Sequence, residues 1–349
     1  MIKIAIVGFF GADTLEQNLY ETFLTFEKID VKQLNLGNNY YLKYLKFFSP
    51  TIGNFVHKFI GRIKSNKFVT NLKSKKMTRI LIKFQPDIII ILTGAANSFS
   101  ANQIKQLKKG IDTYIICWFV DASINIRRGI FLRAPYDIIF FTDQGLVDWF
   151  KPLLESRVEL LLEGHLHEKH SNSESLGDEV KNYFVIVGTL YPERYELVRK
   201  LAQMGFPIKI YGSPLPSWSY DSIVEKNHTN RYIVHQEKSF VFKNALGVIN
   251  NFHPTHINAI NCRVFEVLSS GGLLISEQSN LLRETIDASA YLAYDNFNAL
   301  TEILSNILED SSQFESIKIK AKYISSAHSL QIRAQNILEY YENFRTAKL

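Results

Sequence analysis

The hydrophobic and polar positions of the chain alternate between short apolar runs and longer amphipathic stretches. The apolar runs are typical of parallel strands buried on both faces, and stretches with helical spacing follow most of them. This alternation predicts an α/β protein built from repeated strand and helix units. The predicted strands are Ile2 to Gly8, Pro86 to Gly94, Thr113 to Val120, Pro135 to Asp143, Arg157 to Leu162, Tyr183 to Gly188, Pro207 to Gly212, Tyr232 to His235, Ala245 to Asn250 and Leu273 to Ser276.

The sequence also indicates several helices. One is expected to begin near Asp13 or Thr14, and Ser100 is expected to cap another that Gly110 closes. A third, predicted over Gln144 to Glu155, carries Trp149 on its inner side. The remaining predicted helices are Glu193 to Met204, a helix containing Val264 to Leu268, Asn296 to Glu309 and Gln313 to Ile324.

An apolar strand that ends at glycine and leads into a helix occurs twice, at Ile2 to Gly8 and at Tyr183 to Gly188. Because 349 residues are enough for two separate cores, the repetition predicts two Rossmann-like domains in tandem. The polar segment Glu163 to Val180 is interpreted as their connection. It contains three histidines, His165, His167 and His170. A metal site is not expected there, because a linker orients metal ligands poorly.

The stretch from Asn258 to Gly272 places polar and charged residues at helical spacing. Arg263 falls in the first turn of the predicted helix and Glu266 follows three residues later, so both side chains lie on one face near unpaired backbone N–H groups. A nucleoside diphosphate suits this geometry, with its phosphates on the helix N-terminus and the guanidinium and its ribose hydroxyls on Glu266. The alternative is a surface ion pair worth about 0.2–0.5 kcal/mol.

The segment Asn-Ala-Ile-Asn-Cys-Arg-Val-Phe-Glu-Val-Leu-Ser-Ser-Gly-Gly at 258–272 resembles the signature of the CgeB-like (spore-maturation type) glycosyltransferases, which have the GT-B fold. Similar glycosyltransferases carry two acidic residues eight positions apart, the second on the ribose and the first near the donor sugar. Glu266 matches the second, and Asn258 replaces the first with an uncharged amide. The resemblance covers most of Ala101 to Tyr341 and is much weaker over Phe9 to Gln85.

The resemblance implies a GT-B chain with an N-terminal Rossmann-like acceptor domain at 1–165, a C-terminal nucleotide-sugar domain at 166–328, and a helix at 329–349 that crosses back to the first domain. It implies a metal-independent glycosyltransferase without a cofactor, with a UDP-sugar as the default co-substrate. The acceptor would be a glycan, a lipid-linked sugar or another cell-surface polysaccharide. The candidate nucleotide-sugar-binding residues are Gly188, Arg194, Tyr211, Asn258, Asn261, Arg263 and Glu266. The alternative is a non-catalytic nucleotide-sugar or glycan-binding protein, since Asn258 displaces a carboxylate.

Candidates on the acceptor side come from the ends of predicted strands. Asp121 ends a strand within a Trp-Phe-x-Asp stretch similar to that of the same family, and it is the catalytic candidate, as a general base or by orienting the acceptor hydroxyl. Its alternative role is to cap the next turn. Gly8, Gly11 and Asp13 are assigned to an acceptor-side loop, because their spacing is not the dinucleotide-binding fingerprint.

The stretch from Val31 to Pro86 contains twelve lysines and arginines and no acidic residue, against a whole-chain net charge of +6. Aromatic residues are interleaved with the basic ones. Such a stretch suits an anionic membrane surface or a lipid-phosphate-linked acceptor, and the alternative is a solvated helix face with its aromatics in the core. Nucleic acid is not expected as a partner, because no recognition motif accompanies the charge.

The overall composition is compatible with the predicted α/β fold. With 46% hydrophobic and 21% charged residues, the chain is typical of a globular protein. No apolar run reaches the roughly 18–20 residues needed to span a bilayer, and the N-terminus enters a strand without a leader. The expected location is therefore the cytoplasm, including the inner face of the membrane. Cys117 and Cys262 are interpreted as small buried hydrophobic residues.

Overall fold

The computed structural model describes residues 1–36, 67–96, 99–126, 131–166, 180–215, 218–219 and 221–348, with backbone alone for 67–74 and for residue 94. The chain divides into two compact units. Unit 1 contains Met1–Phe141, Val147–Leu161 and Ile337–Leu349, and unit 2 contains Thr142–Leu146 and Leu162–Asn336. The domain boundaries at 165 and 328 stay predictions.

Unit 1 is built on a parallel sheet of six strands in the order β2-β1-β3-β4-β5-β6. The central strand β3 is a run of isoleucines that pairs with β1 and β4 and is buried on both faces, which explains its wholly apolar sequence. The strands are β1 (Ile2–Gly8), β2 (Ile29–Asn35), β3 (Ile88–Leu92), β4 (Tyr114–Phe119), β5 (Ile138–Phe141) and β6 (Arg157–Leu160).

The helices of the first 161 residues connect these strands. They are α1 (Leu15–Leu24), α2 (Lys67–Phe84), α3 (Thr93–Ala96), α4 (Ala101–Gly110) and α5 (Gln144–Phe150), with 3₁₀ turns at Ser123–Asn125 and Phe131–Arg133. Thr14 caps α1, and Ser100 forms a capping box with Gln103 at the start of α4. Both helix starts confirm the sequence prediction.

Unit 2 is built on a parallel sheet of five strands in the order β11-β10-β9-β7-β8. Both sheets therefore place their first strand between the second and the third, and the strand order reverses at that point. The strands are β7 (Phe184–Val187), β8 (Ile208–Tyr211), β9 (Gly247–Asn250), β10 (Leu274–Glu277) and β11 (Leu292–Tyr294). In open α/β sheets, ligands bind at the carboxyl ends of the strands beside such a reversal.

Eight helices are described after residue 180. They are α6 (Pro192–Gln203), α7 (Ser222–Asn227), α8 (His235–Asn244), α9 (Cys262–Ser270), α10 (Asn280–Thr285), α11 (Phe297–Glu309), α12 (Glu315–Ser325) and α13 (Leu330–Lys348), with 3₁₀ turns at Ala288–Ala290, Ser311–Phe314 and Ser326–His328. Gly271 ends α9 in the left-handed conformation, as predicted for a helix closed by glycine.

The terminal helix α13 crosses onto the first unit, as predicted. From Ile337 onward its residues belong to unit 1. Tyr340 packs edge-on against Phe140 of β5, and Tyr341 and Phe344 pack against Tyr114 of β4. These aromatic contacts hold the end of the chain on the first sheet.

Three details differ from the sequence predictions. Residues 232–235 form no strand, because Asn230 and His235 take positive φ values and α8 begins at His235. Trp149 is 67% exposed on the short helix α5, so its predicted inward position is wrong. The strands β2 and β11 were not predicted; both lie at sheet edges.

No helix in the described part of the chain is long and apolar enough to cross a membrane. Cys117 is fully buried in β4, as expected for a small hydrophobic residue. Cys262 is partly exposed at the start of α9. Burial raises the pKa of the Cys117 thiol. Loss of hydration, and then the negative charges of Glu163 and Glu266, raise the pKa of the Cys262 thiol.

Candidate functional site

The candidate site of unit 2 lies where β7 and β9 end, at the reversal of strand order. Gly188 follows β7 with φ of +134°, a conformation that L side chains rarely adopt. A Cβ atom at this position would lie 3.1 Å from Nη1 of Arg194 and 3.6 Å from Nη2 of Arg263. Glycine therefore allows two guanidinium groups to approach the backbone at the end of β7.

Arg194 lies in the first turn of α6 and is held by the loops that follow β7 and β9. Its Nε donates to Oδ1 of Asn251 at 2.7 Å, its Nη2 to the Asn251 carbonyl at 3.0 Å, and its Nη1 to the Thr189 carbonyl at 2.9 Å. The residue is 8% exposed. Burial, and then the positive charge of Arg263, lower the pKa of Arg194 to about 10. Its charged form would therefore gain from a nearby anion.

Arg263 and Glu266 pair on α9, as in the ion-pair alternative, but Glu266 is buried, so the pair is not a surface contact. Nη1 of Arg263 lies 2.5 Å from Oε2 of Glu266, and Nζ of Lys238 lies 2.5 Å from Oε1 of the same carboxylate. Glu266 is 6% exposed and Lys238 is 4% exposed. Glu266 is thus bound between two cations, one from α8 and one from α9.

Three cationic side chains meet here, Arg194, Arg263 and Lys238, with the carboxylate of Glu266 between the last two. They lie near the N-terminus of α9, where backbone N–H groups add partial positive charge. Cationic side chains beside a helix N-terminus are suited to an anion such as a diphosphate.

Asn258 and Asn261 have structural hydrogen bonds. Oδ1 of Asn258 accepts from the Leu281 N–H at 2.7 Å and so helps to cap α10. Asn261 precedes α9, and its Nδ2 donates to Oδ1 of Asn250 at 3.0 Å. Its own Oδ1 is buried and has no hydrogen-bond partner among the described residues. This oxygen is therefore an acceptor that a ligand donor would satisfy.

Tyr211 ends β8 and is 2% exposed. The next residue, Gly212, packs tightly on the first loop, since a Cβ there would lie 2.3 Å from the Gly188 carbonyl oxygen. The Gly188 N–H donates to the Tyr211 carbonyl oxygen at 2.8 Å, so the backbone of Tyr211 helps to hold the Gly188 turn. The predicted contact of Tyr211 with the nucleotide stays a prediction.

Asp143 supports the loop that carries Asn258. In unit 2, its carboxylate accepts hydrogen bonds from the N–H groups of Gly145, Ile257 and Asn258, at 2.8–2.9 Å. Three backbone donors compensate the buried negative charge. Asp143 therefore holds the start of the 258–272 segment in one conformation.

The acceptor-side candidates lie at strand ends of unit 1. Asp121 follows β4, and its Oδ1 accepts from the Ala122 N–H at 2.8 Å, whereas the 3₁₀ turn Ser123–Asn125 that follows has no side-chain cap. Gly8 ends β1 beside Glu16, whose Cγ would lie 2.2 Å from a Cβ on that glycine. Asp13 has a φ of 61° and accepts from Asn18 at 3.3 Å. Gly11 lies in the same turn and packs near Thr14.

Three functional candidates were missed by the sequence prediction. Lys238 is an isolated lysine in a helix, and Asn251 is an amide in a polar loop, so neither forms a motif with residues near it. Glu16 accepts from the Phe9 N–H at 3.3 Å, and burial raises its pKa. Glu16 lies in the first turn of the helix that follows a glycine-ended strand, and this position was the available signal.

Two further predictions concern residues outside the described ranges. His167 and His170 of the polar connection are not described, whereas His165 is buried, with Nε2 at 2.9 Å from the Ser325 carbonyl oxygen. No group of three or more metal-ligating side chains was found among the described residues. Most of the basic stretch, residues 37–66, also lies outside the described part, with Tyr40, Tyr41, Tyr44, Phe47 and Phe48.

Sequence comparison finds one family model that matches, with the description glycosyl transferase-like, over residues 194–339. This range contains the Arg194 turn, the 258–272 segment and most of α13. A search of curated protein sequences found no match. The match supports glycosyl transferase-like character over this range and defines no narrower family.

Solved structures of similar fold cover almost the whole chain. Sucrose-phosphate synthase from Thermosynechococcus elongatus superposes with a TM-score of 0.70 at 11% identity, over 99% of this chain and 100% of that one. HepE from Anabaena, solved with UDP-glucose, gives 0.65 at 12% identity, over 98% and 100%. Trehalose 6-phosphate synthase from Burkholderia multivorans gives 0.62 at 12% identity, over 100% and 99%. The fold is therefore GT-B, with two parallel Rossmann-like sheets and a terminal helix that returns to the first.

Proposed function

We propose that this protein is a nucleotide-sugar-dependent glycosyltransferase of the CgeB-like type, which transfers a sugar to a glycan, a lipid-linked sugar or another cell-surface polysaccharide. The observation that carries the proposal is the pair of guanidinium groups at Gly188. Burial, and then the nearby positive charge of Arg263, lower the pKa of Arg194, so a bound diphosphate would favour the charged form of Arg194.

The leaving group of such a reaction is the nucleoside diphosphate itself. Negative charge develops on its phosphate as the bond to the sugar breaks, and fixed cations stabilise that charge in the transition state. Arg194 and Arg263 are held in place by Asn251 and Glu266, so they need little reorganisation during the reaction. These two arginines supply the positive charge that the proposed metal-independent mechanism requires.

The other predicted residues take roles around the diphosphate. Glu266 is proposed to accept from a ribose hydroxyl, and the buried Oδ1 of Asn261 to accept from the bound donor. Asn258 is proposed to face the donor sugar. In unit 1, Asp121 is proposed to orient the acceptor hydroxyl or to remove its proton. UDP-sugars are the first donors to test, since HepE, a protein of the same fold, was solved with UDP-glucose.

A non-catalytic binding protein on the same fold is the second candidate. It is favoured by the uncharged side chain of Asn258, whose oxygen already caps α10. Both candidates bind a nucleoside diphosphate, and they differ in turnover. Release of free nucleoside diphosphate from a donor, in the presence of an acceptor mixture, separates them.

The test is isothermal titration with UDP, GDP and dTDP, followed by the corresponding nucleotide sugars. We expect one nucleotide to bind wild type, and Arg263→Gln to bind it at least about tenfold more weakly, since a hydrogen bond to a charged group is worth about 1.5–3 kcal/mol. Lys226→Gln, an exposed charge on α7 of the same unit, is the control and should bind normally. Failure of all nucleotides and nucleotide sugars to bind at millimolar concentration would overturn the proposal.

A further inference from the structure

A second site in unit 2 is a pocket of about 680 Å³ where β9, β10 and β11 end. Its walls are the loops that follow these three strands and one side of α6. The volume is in the range of pockets that hold small-molecule ligands, about 300–1,000 Å³. Arg194, Arg263 and Lys238 are not among its lining residues, but Asn251, which holds Arg194, is, so the pocket adjoins the cationic cluster at Gly188.

The pocket has the opposite charge from that cluster. Its lining contains three carboxylates, Glu193, Glu277 and Asp295, and no lysine or arginine among the described residues. A ligand with a carboxylate or a phosphate would therefore meet like charge here, whereas a neutral ligand would not.

Several polar side chains of the lining are oriented by the backbone or by a neighbour. Oε2 of Glu277 accepts from the Phe252 N–H at 2.8 Å, Oδ1 of Asn258 accepts from the Leu281 N–H at 2.7 Å, and Oε1 of Gln278 accepts from the Tyr291 hydroxyl at 3.3 Å. The second polar atom of each side chain has no protein hydrogen bond in the described ranges. One acceptor and two donors are thus held at the pocket.

Apolar surface completes the pocket. Phe252, Phe297 and Leu300 line it together with the ring of Tyr294, whose hydroxyl is already bonded to the Asn250 carbonyl. A pocket with apolar walls and fixed acceptors and donors matches a ring that carries many hydroxyl groups, because each hydroxyl both donates and accepts.

We propose that this pocket binds a neutral sugar ring and discriminates against sugars that carry a carboxylate or a phosphate. The ring belongs either to the nucleotide-sugar donor or to a free saccharide. The first source rests on the proposed function, and the second does not. Both sources are recognised in the same way, because the hydroxyl groups of the sugar ring would form hydrogen bonds with Glu277, Asn258 and Gln278.

Two substitutions test the charge of the pocket without removing its hydrogen bonds. Glu277→Gln keeps an oxygen for the Phe252 N–H, and Asp295→Asn changes an exposed side chain. The matched control is Glu302→Gln, an exposed carboxylate on α11 that does not line the pocket. All titrations are run at pH 8, where imidazoles are ordinarily neutral.

The ligands are UDP, UDP-glucose, UDP-glucuronate and the free sugars maltose and glucuronate. If the ring is the donor's, wild type should bind UDP-glucose about tenfold or more tightly than UDP-glucuronate. The Glu277→Gln, Asp295→Asn double variant should reduce this ratio to about threefold or less, with its affinity for UDP unchanged. If the ring is a free saccharide, maltose should bind without nucleotide, glucuronate should not, and the double variant should admit glucuronate.

The control Glu302→Gln should keep the wild-type ratios. Equal affinity for UDP-glucose and UDP-glucuronate in wild type, together with no binding of maltose, would overturn the inference. So would an unchanged ratio in the double variant. Failure of UDP to bind would instead overturn the proposed function, and the maltose arm would still decide the nature of the pocket.

Discussion

Replacement of Glu266 by glutamine is expected to destabilise unit 2, because it leaves buried positive charge without its partner. The two carboxylate oxygens each lie 2.5 Å from a cation, one on Lys238 and one on Arg263. Glutamine has nearly the same shape as glutamate, so the change creates little cavity. The effect therefore measures the electrostatic part of the interaction.

The magnitude follows from the burial of the two cations. Removal of one partner of a buried ion pair costs about 3–5 kcal/mol, whereas exposed pairs are worth about 0–1 kcal/mol. The Lys238 side chain is 5% exposed and cannot be solvated, while the Arg263 side chain is 18% exposed and reaches water in part. We expect a loss of about 3 kcal/mol, mainly from Lys238, out of the 5–15 kcal/mol typical of a folded protein.

The assay is native-state hydrogen exchange, read by mass spectrometry on peptides from α8 and α9. Because the chain has two units, a single global unfolding free energy is not well defined, and local exchange reports on unit 2 directly. A Lys238→Met change on the Glu266→Gln background removes the unpaired charge. The double variant should therefore recover at least about half of the lost protection.

The matched control is Glu315→Gln on α12. Glu315 pairs with Lys318 at the same three-residue spacing and at 2.8 Å, but its side chain is 59% exposed. We expect this change to cost less than about 1 kcal/mol. If Glu266→Gln costs no more than Glu315→Gln, the carboxylate is solvated and the reasoning from burial is refuted.

Four other predictions follow from the same structure. Gly188→Ala should lose about 1–3 kcal/mol of stability through backbone strain and should weaken nucleotide binding, because its Cβ meets Arg194; calorimetry and titration check both. Asp121→Asn should lower turnover by about 10²-fold or more if the side chain acts as a base, but should lower only the melting temperature if it caps the turn. Burial, and then the positive charge of Arg333 and His165, lower the pKa of His328 from 6.5 to about 4, so the folded state binds fewer protons than the unfolded state. The stability of the protein should therefore be full above pH 6.5 and should fall as the pH drops toward 4. The fall in melting temperature over this range should be smaller in His328→Asn. Exposed basic residues on α2, Lys75, Lys76, Arg79 and Lys83, should support binding to anionic liposomes that salt reverses, measured by cosedimentation.

Two of these predictions have a control in the chain. Gly205→Ala has a positive φ but no atom within 4 Å of the added Cβ, so it should lose stability without affecting nucleotide binding. Glutamine at the four α2 positions should abolish liposome binding, while glutamine at the exposed lysines 105, 109, 320 and 322 should not. Liposome binding that persists in the α2 variant would contradict the membrane prediction. A dependence of melting temperature on pH that is the same in His328→Asn as in wild type would contradict the histidine prediction.

The order of strands and helices could be predicted largely from the sequence, because the signals are local. The isoleucine run of β3 is recognisable as a strand buried on both faces, and Ser100 and Gln103 form a capping box within one turn. The strands that escaped prediction, β2 and β11, are edge strands, whose partly exposed residues lack a continuous apolar run. Trp149 was misplaced because helical periodicity does not show how far a short helix extends.

The candidate site could be predicted only where its residues are close along the chain. Arg263 and Glu266 are three residues apart on one helix, so helix geometry places both side chains on one face, and the sequence left an ion pair as the alternative to a ligand role. Their ligand role stays a prediction. Lys238 lies 28 residues before Glu266, and Asn251 lies 57 residues after Arg194. Only packing of α8 against α9, and parallel pairing of β7 with β9, brings these residues together. Tertiary structure therefore decided that Glu266 is buried between two cations, since burial depends on every chain segment that meets at one point.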